Sequence, residues 1–413
     1  MTKALEASFR RPLPQWAVFA VGLATTVRLE ALGFFFGTEI LLSLFALDIL
    51  ARRKDTLLRR RVFYALAAIA ILCIAIAVTD RLRHVAAADT VKGLAVYVFL
   101  GLNLAGTYVI CSDDVYRLTA LLAGICLGTI MQFAIFGGFM LDINPWKFAY
   151  GTPLTILACI AAARLFGISL RTSLLLLCLA GLNLLLDYRS VAGFCFFVAA
   201  IVTVATHIRR YFRRPTYKVM LVTVAGMLVL AAAFSAVYRF AATNGYLSSR
   251  AEYRYLVQSQ AEGGFLVAGR SDLVGALLAI RKSPYVGYGS YAVDPQIARL
   301  TIYMMAVLDP VLHYHQPKSE NIVVHSYLLG AWVQIGIIGA LFWGAWLMLA
   351  LRATVSAIWL PNSLVAGWLF FLLLEIWNIL ATPFAGFERL NAAILMNFVL
   401  VILSSPKWSR YDG

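Results

Sequence analysis

The feature that most constrains this chain is a succession of long apolar runs, broken once by a mixed polar stretch from Tyr238 to Val324. An apolar run of about twenty residues matches one α-helix crossing a hydrocarbon layer about 30 Å thick. The runs lack the strict two-residue alternation of a transmembrane barrel, which leaves helices as the only element able to satisfy the backbone in lipid. At 62% hydrophobic and 13% charged residues, the chain cannot clothe an ordinary soluble domain. The expected fold is an all-α polytopic membrane protein of about twelve transmembrane helices.

The expected spans are 13–27, 31–50, 62–78, 93–111, 118–139, 150–165, 170–186, 191–206, 220–237, 326–349, 363–380 and 391–403. This divides the chain into a first block of nine helices (1–237), a large outer loop with short amphipathic helices between spans nine and ten (238–325), and a block of three helices with an inner carboxyl tail (326–413). Orientation follows the basic residues, which are retained on the cytoplasmic side. With the amino terminus inside, Arg52, Arg53, Lys54, Arg59, Arg60 and Arg61 share one inner loop, and Arg209, Arg210, Arg213, Arg214 and Lys218 share another. Residues 238–324 then lie outside. The short basic segment before the first run, Lys3 to Arg11, reads as the start of an uncleaved signal anchor.

The net charge of +15 is explained by inner-face Lys and Arg against anionic lipid, and nothing points to nucleic acid. Cys73, Cys111, Cys126, Cys159, Cys178 and Cys195 lie within or at the ends of spans, without metal-site spacing, and read as small packing residues. His313-Tyr314-His315 lacks a third ligand at a recognisable spacing. Asp113-Asp114 reads as a charged inner loop. Glu39 and Glu375 fall inside spans, where ionisable groups are functional candidates by default.

Within the polar stretch, Tyr246, Arg250, Glu252, Tyr253, Arg254 and Tyr255 suit an interfacial helix that Gly263-Gly264 ends. Leu273, Leu277 and Ile280 at helical spacing predict a second short helix, capped at Ser271 or Asp272 and stopped by a turn at Pro284. An arginine beside a helix amino terminus, as Arg270 would be, is a plausible anion site.

Three pieces of sequence then fall into a known order. His325-Ser326, nine residues, Gly336, two residues and Gly339 resembles the H-[N/S/Q]-x9-G-x-x-G pattern of the O-antigen ligase and polymerase superfamily. Gly269-Arg270 followed by Pro284-x-x-Gly287-x-Gly289 is similar to the stretch that precedes this histidine in that family, and Asp187-Tyr188-Arg189-Ser190 supplies an arginine at the outer end of a span. The resemblance covers roughly 170–349; the first five spans match in hydropathy alone.

The resemblance implies a metal-independent, cofactor-free, inverting transfer of a glycan from an undecaprenyl diphosphate donor at the periplasmic face of a bacterial inner membrane. His325 is then the candidate base, since histidine titrates near neutrality. Arg270 and Arg189 are the candidates that neutralise the departing diphosphate. Arg281, Arg254 and Arg250 would line a basic vestibule, and Glu375, with Glu388 and Arg389, would orient His325 or acceptor sugars. The implied acceptor is a lipid-linked repeat unit, for a polymerase, or lipid A core, for a ligase. The reading leans to the polymerase, with a chain-length regulator as a further partner. Set against these roles are plainer ones: Gly336 and Gly339 for close helix packing, Arg189 for snorkelling to the interface. A transporter or lipid flippase is the rival class, and it predicts broken helices in matching halves. The outer insertion after span nine has no counterpart between spans three and four, where only 79–92 intervenes.

Overall fold

The structure, a computed structural model, describes residues 13–30, 34–47, 57–211, 217–260, 272–308 and 320–404. The helices are α1 (Gln15–Leu23), α2 (Gly37–Ala46), α3 (Leu57–Leu82), α4 (Ala87–Cys111), α5 (Val115–Phe136), the short α6 (Phe139–Ile143), α7 (Gly151–Phe166), α8 (Leu170–Leu185), α9 (Arg189–Tyr211) and α10 (Tyr217–Thr243). They continue as α11 (Ser249–Gln260), α12 (Asp272–Lys282), α13 (Pro295–Leu308), α14 (Tyr327–Ile335), α15 (Ile337–Ala357), α16 (Asn362–Ala381) and α17 (Glu388–Ser404). Among the described residues, 8 helices are long and apolar enough to cross a membrane. The molecule is a helical, multi-pass membrane protein.

Hydrogen bonds define two ends of the bundle. At one, Arg61 Nη1 donates to Ser404 Oγ (3.1 Å), and Arg209 donates to Ile358 O, Leu360 O and Asn362 Oδ1, each at 2.6 Å. This is the basic end. At the other, the end of α3 binds the segment 283–290: Thr79 Oγ1 donates to Val286 O (3.1 Å) and Arg83 Nε to Gly287 O (2.8 Å). This is the loop end. Because α9 starts at Arg189 and carries Arg209 in its last turn, Arg189 belongs to the loop end, about 30 Å from the basic one.

Three elements depart from uninterrupted helices. The runs 13–27 and 31–50 fold as the short α1 and α2, joined through an antiparallel hairpin of β1 (Arg28–Glu30) and β2 (Phe34–Phe36). Helix α1 stops because Thr25 and Thr26 turn their hydroxyls back onto Gly22 O (2.8 Å) and Leu23 O (2.9 Å), which competes with helical continuation. The run 326–349 is also not one helix. Along a continuous helix Tyr327 and Trp343 would stand about 24 Å apart, yet their ring centroids are 5.0 Å apart. The chain turns back at Gly336, whose φ of +73° is costly for any residue with a side chain.

The consequence is a re-entrant element. Helix α14 rises toward the loop end, turns, and α15 descends to the basic end. The amino end of α14 therefore lies inward of the turn by about 13 Å. Behind it, α16 and α17 form the most buried part of the bundle, with Trp368 stacked on Phe398 at 3.8 Å and its indole N–H donated to Thr119 Oγ1 of α5 (3.0 Å). Helix α10 is the opposite case: only 11% of its apolar window is buried, so it lies at the edge of the bundle with its sides toward lipid. Of the cysteines, Cys111, Cys126, Cys159 and Cys195 are buried, Cys73 is half-buried and Cys178 is exposed.

The polar stretch builds its own small core. Helix α12 appears where the leucine spacing places it, and a turn at 284–286 follows it. Ala276, Ala279, Ile280, Ala292, Ile297 and Ile322 pack together with Val333 of α14. Helix α10 runs on to Thr243, past the expected boundary at 237, before α11 begins.

Candidate functional site

His325 is half-buried and immediately precedes the amino cap of α14. Ser326 Oγ accepts from Leu329 N (3.1 Å) and donates to Ile379 O of α16 (2.9 Å). One hydroxyl thus starts the half-helix and fastens it to the last turns of α16. His325 therefore stands next to the amino terminus of a half-helix, where the first N–H groups and the helix dipole favour negative charge. Discontinuous helices with termini at membrane depth are a recurring way to build sites there.

Glu375 lies on that same stretch of α16 and is fully buried. Its Oε1 accepts from Asn378 Nδ2 (2.9 Å), and Asn378 Oδ1 accepts from Thr382 Oγ1 (2.9 Å), which makes a ladder from the buried carboxyl toward the end of the helix. Its Oε2 has no hydrogen-bond partner, nor does the hydroxyl of Tyr327, also fully buried. The Tyr327 ring is enclosed by Trp343 and Phe384, at centroid distances of 5.0 and 4.9 Å.

Arg189 opens α9 with its guanidinium 5.2 Å from the ring of Tyr238 on α10, and Tyr238 meets Tyr255 of α11 at 6.0 Å. Just along α9, Phe194 packs edge-on against Trp377 of α16 (6.0 Å). The end of α16 therefore lies between the two candidates, joined to His325 through Ser326 and to the Arg189 helix through Trp377. Arg281 is exposed in the last turn of α12. Arg250 and Arg254 occupy positions on α11, but their side chains lie outside the described residues, as do Arg270 and His313-Tyr314-His315 altogether.

Glu39 and the two motif glycines have defined neighbours. Glu39 is not a free ionisable group: its carboxylate pairs with Arg389 (2.9 Å) and accepts from Asn103 Nδ2 (3.0 Å) and Phe36 N (3.2 Å). Arg389 in turn donates to Phe34 O (2.9 Å) and Gly386 O (3.1 Å) and lies 5.6 Å from the rings of both Phe35 and Phe99. With Arg389 committed to Glu39, it does not serve as the partner of Glu375. Gly336 and Gly339 both meet neighbouring backbone at close range. A side chain at Gly336 would strike Tyr285 O, and one at Gly339 would strike Ala331 O, so Gly336 makes the turn possible and Gly339 lets α15 pack closely on α14, as the plainer reading expects. Asp114, as expected of a loop charge, caps α5 by accepting from Tyr116 N (2.8 Å) and pairs with Arg117 (3.4 Å).

The Pro284-x-x-Gly287-x-Gly289 motif closes the carbonyl end of α14. Tyr288 N donates to Val333 O (2.8 Å), Gly289 N to Gln334 O (2.9 Å), and Trp332 Nε1 to Pro284 O (2.9 Å). A β-carbon at Gly287 would sit 2.6 Å from Gln334 O. Burial and the nearby Asp294 charge raise the Tyr288 phenol against the opposing pull of Arg83, so it stays neutral. Asp294 is held below the usual carboxylate range despite partial burial, because Ile297 N, Lys282 and Gln296 N all favour its charge. It caps α13 through Gln296 N (3.0 Å) and Ile297 N (3.1 Å) and pairs with Lys282 (3.4 Å).

Among the described residues no group of three or more His, Cys, Asp or Glu side chains is arranged to hold a metal ion. Sequence reasoning missed Asp80 and Arg83, which grip the 283–290 segment; their only local signal was a polar cluster at the end of an apolar run. Comparison with family models, curated proteins and solved structures finds no match for this chain.

Proposed function

We propose that this protein transfers a glycan, without metal and with inversion, from an undecaprenyl diphosphate donor to an acceptor hydroxyl at the periplasmic face of a bacterial inner membrane. The observation that carries the reading is the position of His325: the histidine of the family-like motif stands at the inward foot of a half-helix, fixed by Ser326, where an anionic donor group and a lipid-borne substrate would meet. Twelve passages, with 238–325 outside, keep His325, Arg189 and the 272–308 segment on one side and the clusters at 52–61 and 209–218 on the other.

The acceptor oxygen attacks the anomeric carbon as its proton passes to the His325 imidazole. The carbon–oxygen bond to the diphosphate breaks, and its electron pair leaves with undecaprenyl diphosphate. Arg189 and Arg270 neutralise the charge that builds on that leaving group. The acceptor is a second lipid-linked repeat unit, which makes the activity a polymerase; transfer to lipid A core would make it a ligase.

The test is single-turnover transfer by the purified protein from a synthetic undecaprenyl diphosphate glycan, in chelator. We expect turnover without divalent metal, a fall on the order of 10²- to 10⁴-fold in His325→Ala, and donor affinity nearly unchanged. Near wild-type turnover in His325→Ala would remove it as the base. The break at Gly336 also suits a transporter, whose discontinuous helices bind substrate at the midplane. Here the interruptions fall in the first two passages and the tenth, not in corresponding positions of two halves. Movement of a lipid-linked glycan across vesicles without bond formation would favour that class instead.

A further inference from the structure

Helix α14 has two ends, and only its amino end has so far been given a role. Its carbonyl end, at Val333 and Gln334, terminates against the loop segment 283–290 instead of continuing into α15. That segment has no regular secondary structure of its own, so its position must be set by what it touches on the other side.

What it touches is the end of α3. Asp80 is 2% exposed, and its two carboxylate oxygens are used separately: Oδ1 accepts from Ser290 N (2.6 Å) and Oδ2 from Ser290 Oγ (2.7 Å). Both are charge-assisted bonds, the stronger kind, and one of them reads backbone, not side chain. Arg83 adds Nε to Gly287 O (2.8 Å) and Nη2 to Ser283 Oγ (2.6 Å), with its guanidinium 5.5 Å from the Tyr288 ring. The fit is tight enough that side chains are excluded: a β-carbon on Gly289 would lie 2.7 Å from Asp80 Oδ1, and one on Gly93 of α4 would strike Ser290 Oγ.

The same residues therefore face both ways. Gly287 and Tyr288 present a carbonyl and a ring to Arg83 while Tyr288 N and Gly289 N close α14. From the geometry we infer that Asp80 and Arg83 are positioning residues for His325: through 283–290 they hold the carbonyl end of α14, and a rigid helix of nine residues carries that restraint to the imidazole at its other end. As it bears on turnover, the inference rests on the glycan-transfer reading. As it bears on the place of α14, it does not.

The experiment uses the full chain in lipid nanodiscs and measures amide hydrogen exchange across 327–335 alongside turnover. In Asp80→Ala, exchange there is expected to rise at least about tenfold while 390–402 is unchanged. The turnover number is expected to fall on the order of 10²-fold, with the donor Michaelis constant within about twofold, because the base is misplaced and the donor contacts are kept. Asp80→Asn keeps one acceptor for Ser290 N and should recover part of both effects. Ser290→Ala, which removes one contact, and Arg83→Ala, which leaves Asp80 in place, should show the same pattern more weakly and decide the matter if Asp80→Ala does not insert. Wild-type protection of 327–335 in these variants overturns the inference, as does loosening spread evenly over the bundle. A wild-type chain that transfers no glycan would instead defeat the proposed function and leave the exchange result standing.

Discussion

Two of the buried carboxylates in this bundle, Glu39 and Glu375, are treated differently. Glu39 is enclosed by a guanidinium, an amide and a backbone N–H, and its partner Arg389 is itself held by two carbonyls and two rings. Glu375 has one amide partner and one oxygen with none. A buried charge is tolerated when its bonds are complete, and an incomplete set marks a place where stability has been given up for something else. The contrast teaches that equal burial does not bring equal pairing: Glu39 is saturated and Glu375 is not.

The comparison is broken most directly at the ion pair. Arg389→Ala strands the Glu39 charge and should cost about 3–5 kcal/mol, enough to prevent stable insertion, whereas the double variant Arg389→Met with Glu39→Leu should recover most of it. Thermal unfolding in detergent reads both; equal stability of the single variant and wild type would mean that the pair is solvated. Glu375→Gln should do the reverse, leaving the melting temperature within a few degrees while lowering turnover roughly tenfold. A collapse in stability would place Glu375 beside Glu39 as a structural group.

Smaller effects sharpen the contrast. Tyr327→Phe removes a buried hydroxyl that has no partner, so stability should hold or rise by up to about 1 kcal/mol. A loss of more than that would show the hydroxyl to be satisfied. Asp294→Asn at the cap of α13 should cost about 0.5–1 kcal/mol and act on the outer segment alone. Its pH dependence has a fixed sign. The depressed carboxyl contributes stability that is present above its unfolded value of 3.8 and is lost as pH falls through the lower folded value. Exchange of the α13 amides between pH 5 and 3 follows it; protection that grows on acidification would reverse the assignment.

Much of this was legible in the sequence, and what was not has a physical reason. The apolar runs that became α3, α4, α5, α9, α15 and α16 could be read directly, since composition alone dictates a helix in lipid. Hydropathy, however, carries no direction. The re-entrant α14 has the same apolar content as a span, and only Gly336, read as part of a spacing pattern, marked the turn. His325 and Arg189 were found because their neighbours are local. Asp80 and Arg83 were not, because their partners are 200 residues or more away along the chain. The ion-pair partner of Glu39 was hidden for the same reason, lying 350 residues distant.

The grip of Arg209 on the joint between α15 and α16 has a consequence for assembly. The acceptors Ile358 O, Leu360 O and Asn362 Oδ1 are made long after Arg209 itself, some 150 residues later on the ribosome. Until then those three bonds are missing from a permanently charged side chain in the last turn of α9, which favours its stay among headgroups and water. During synthesis Arg209 therefore acts as an anchor that stops α9 from sliding further into the bilayer. Only when the last helices arrive does the same group change from a tether to lipid into a clasp that registers the two halves of the chain against each other.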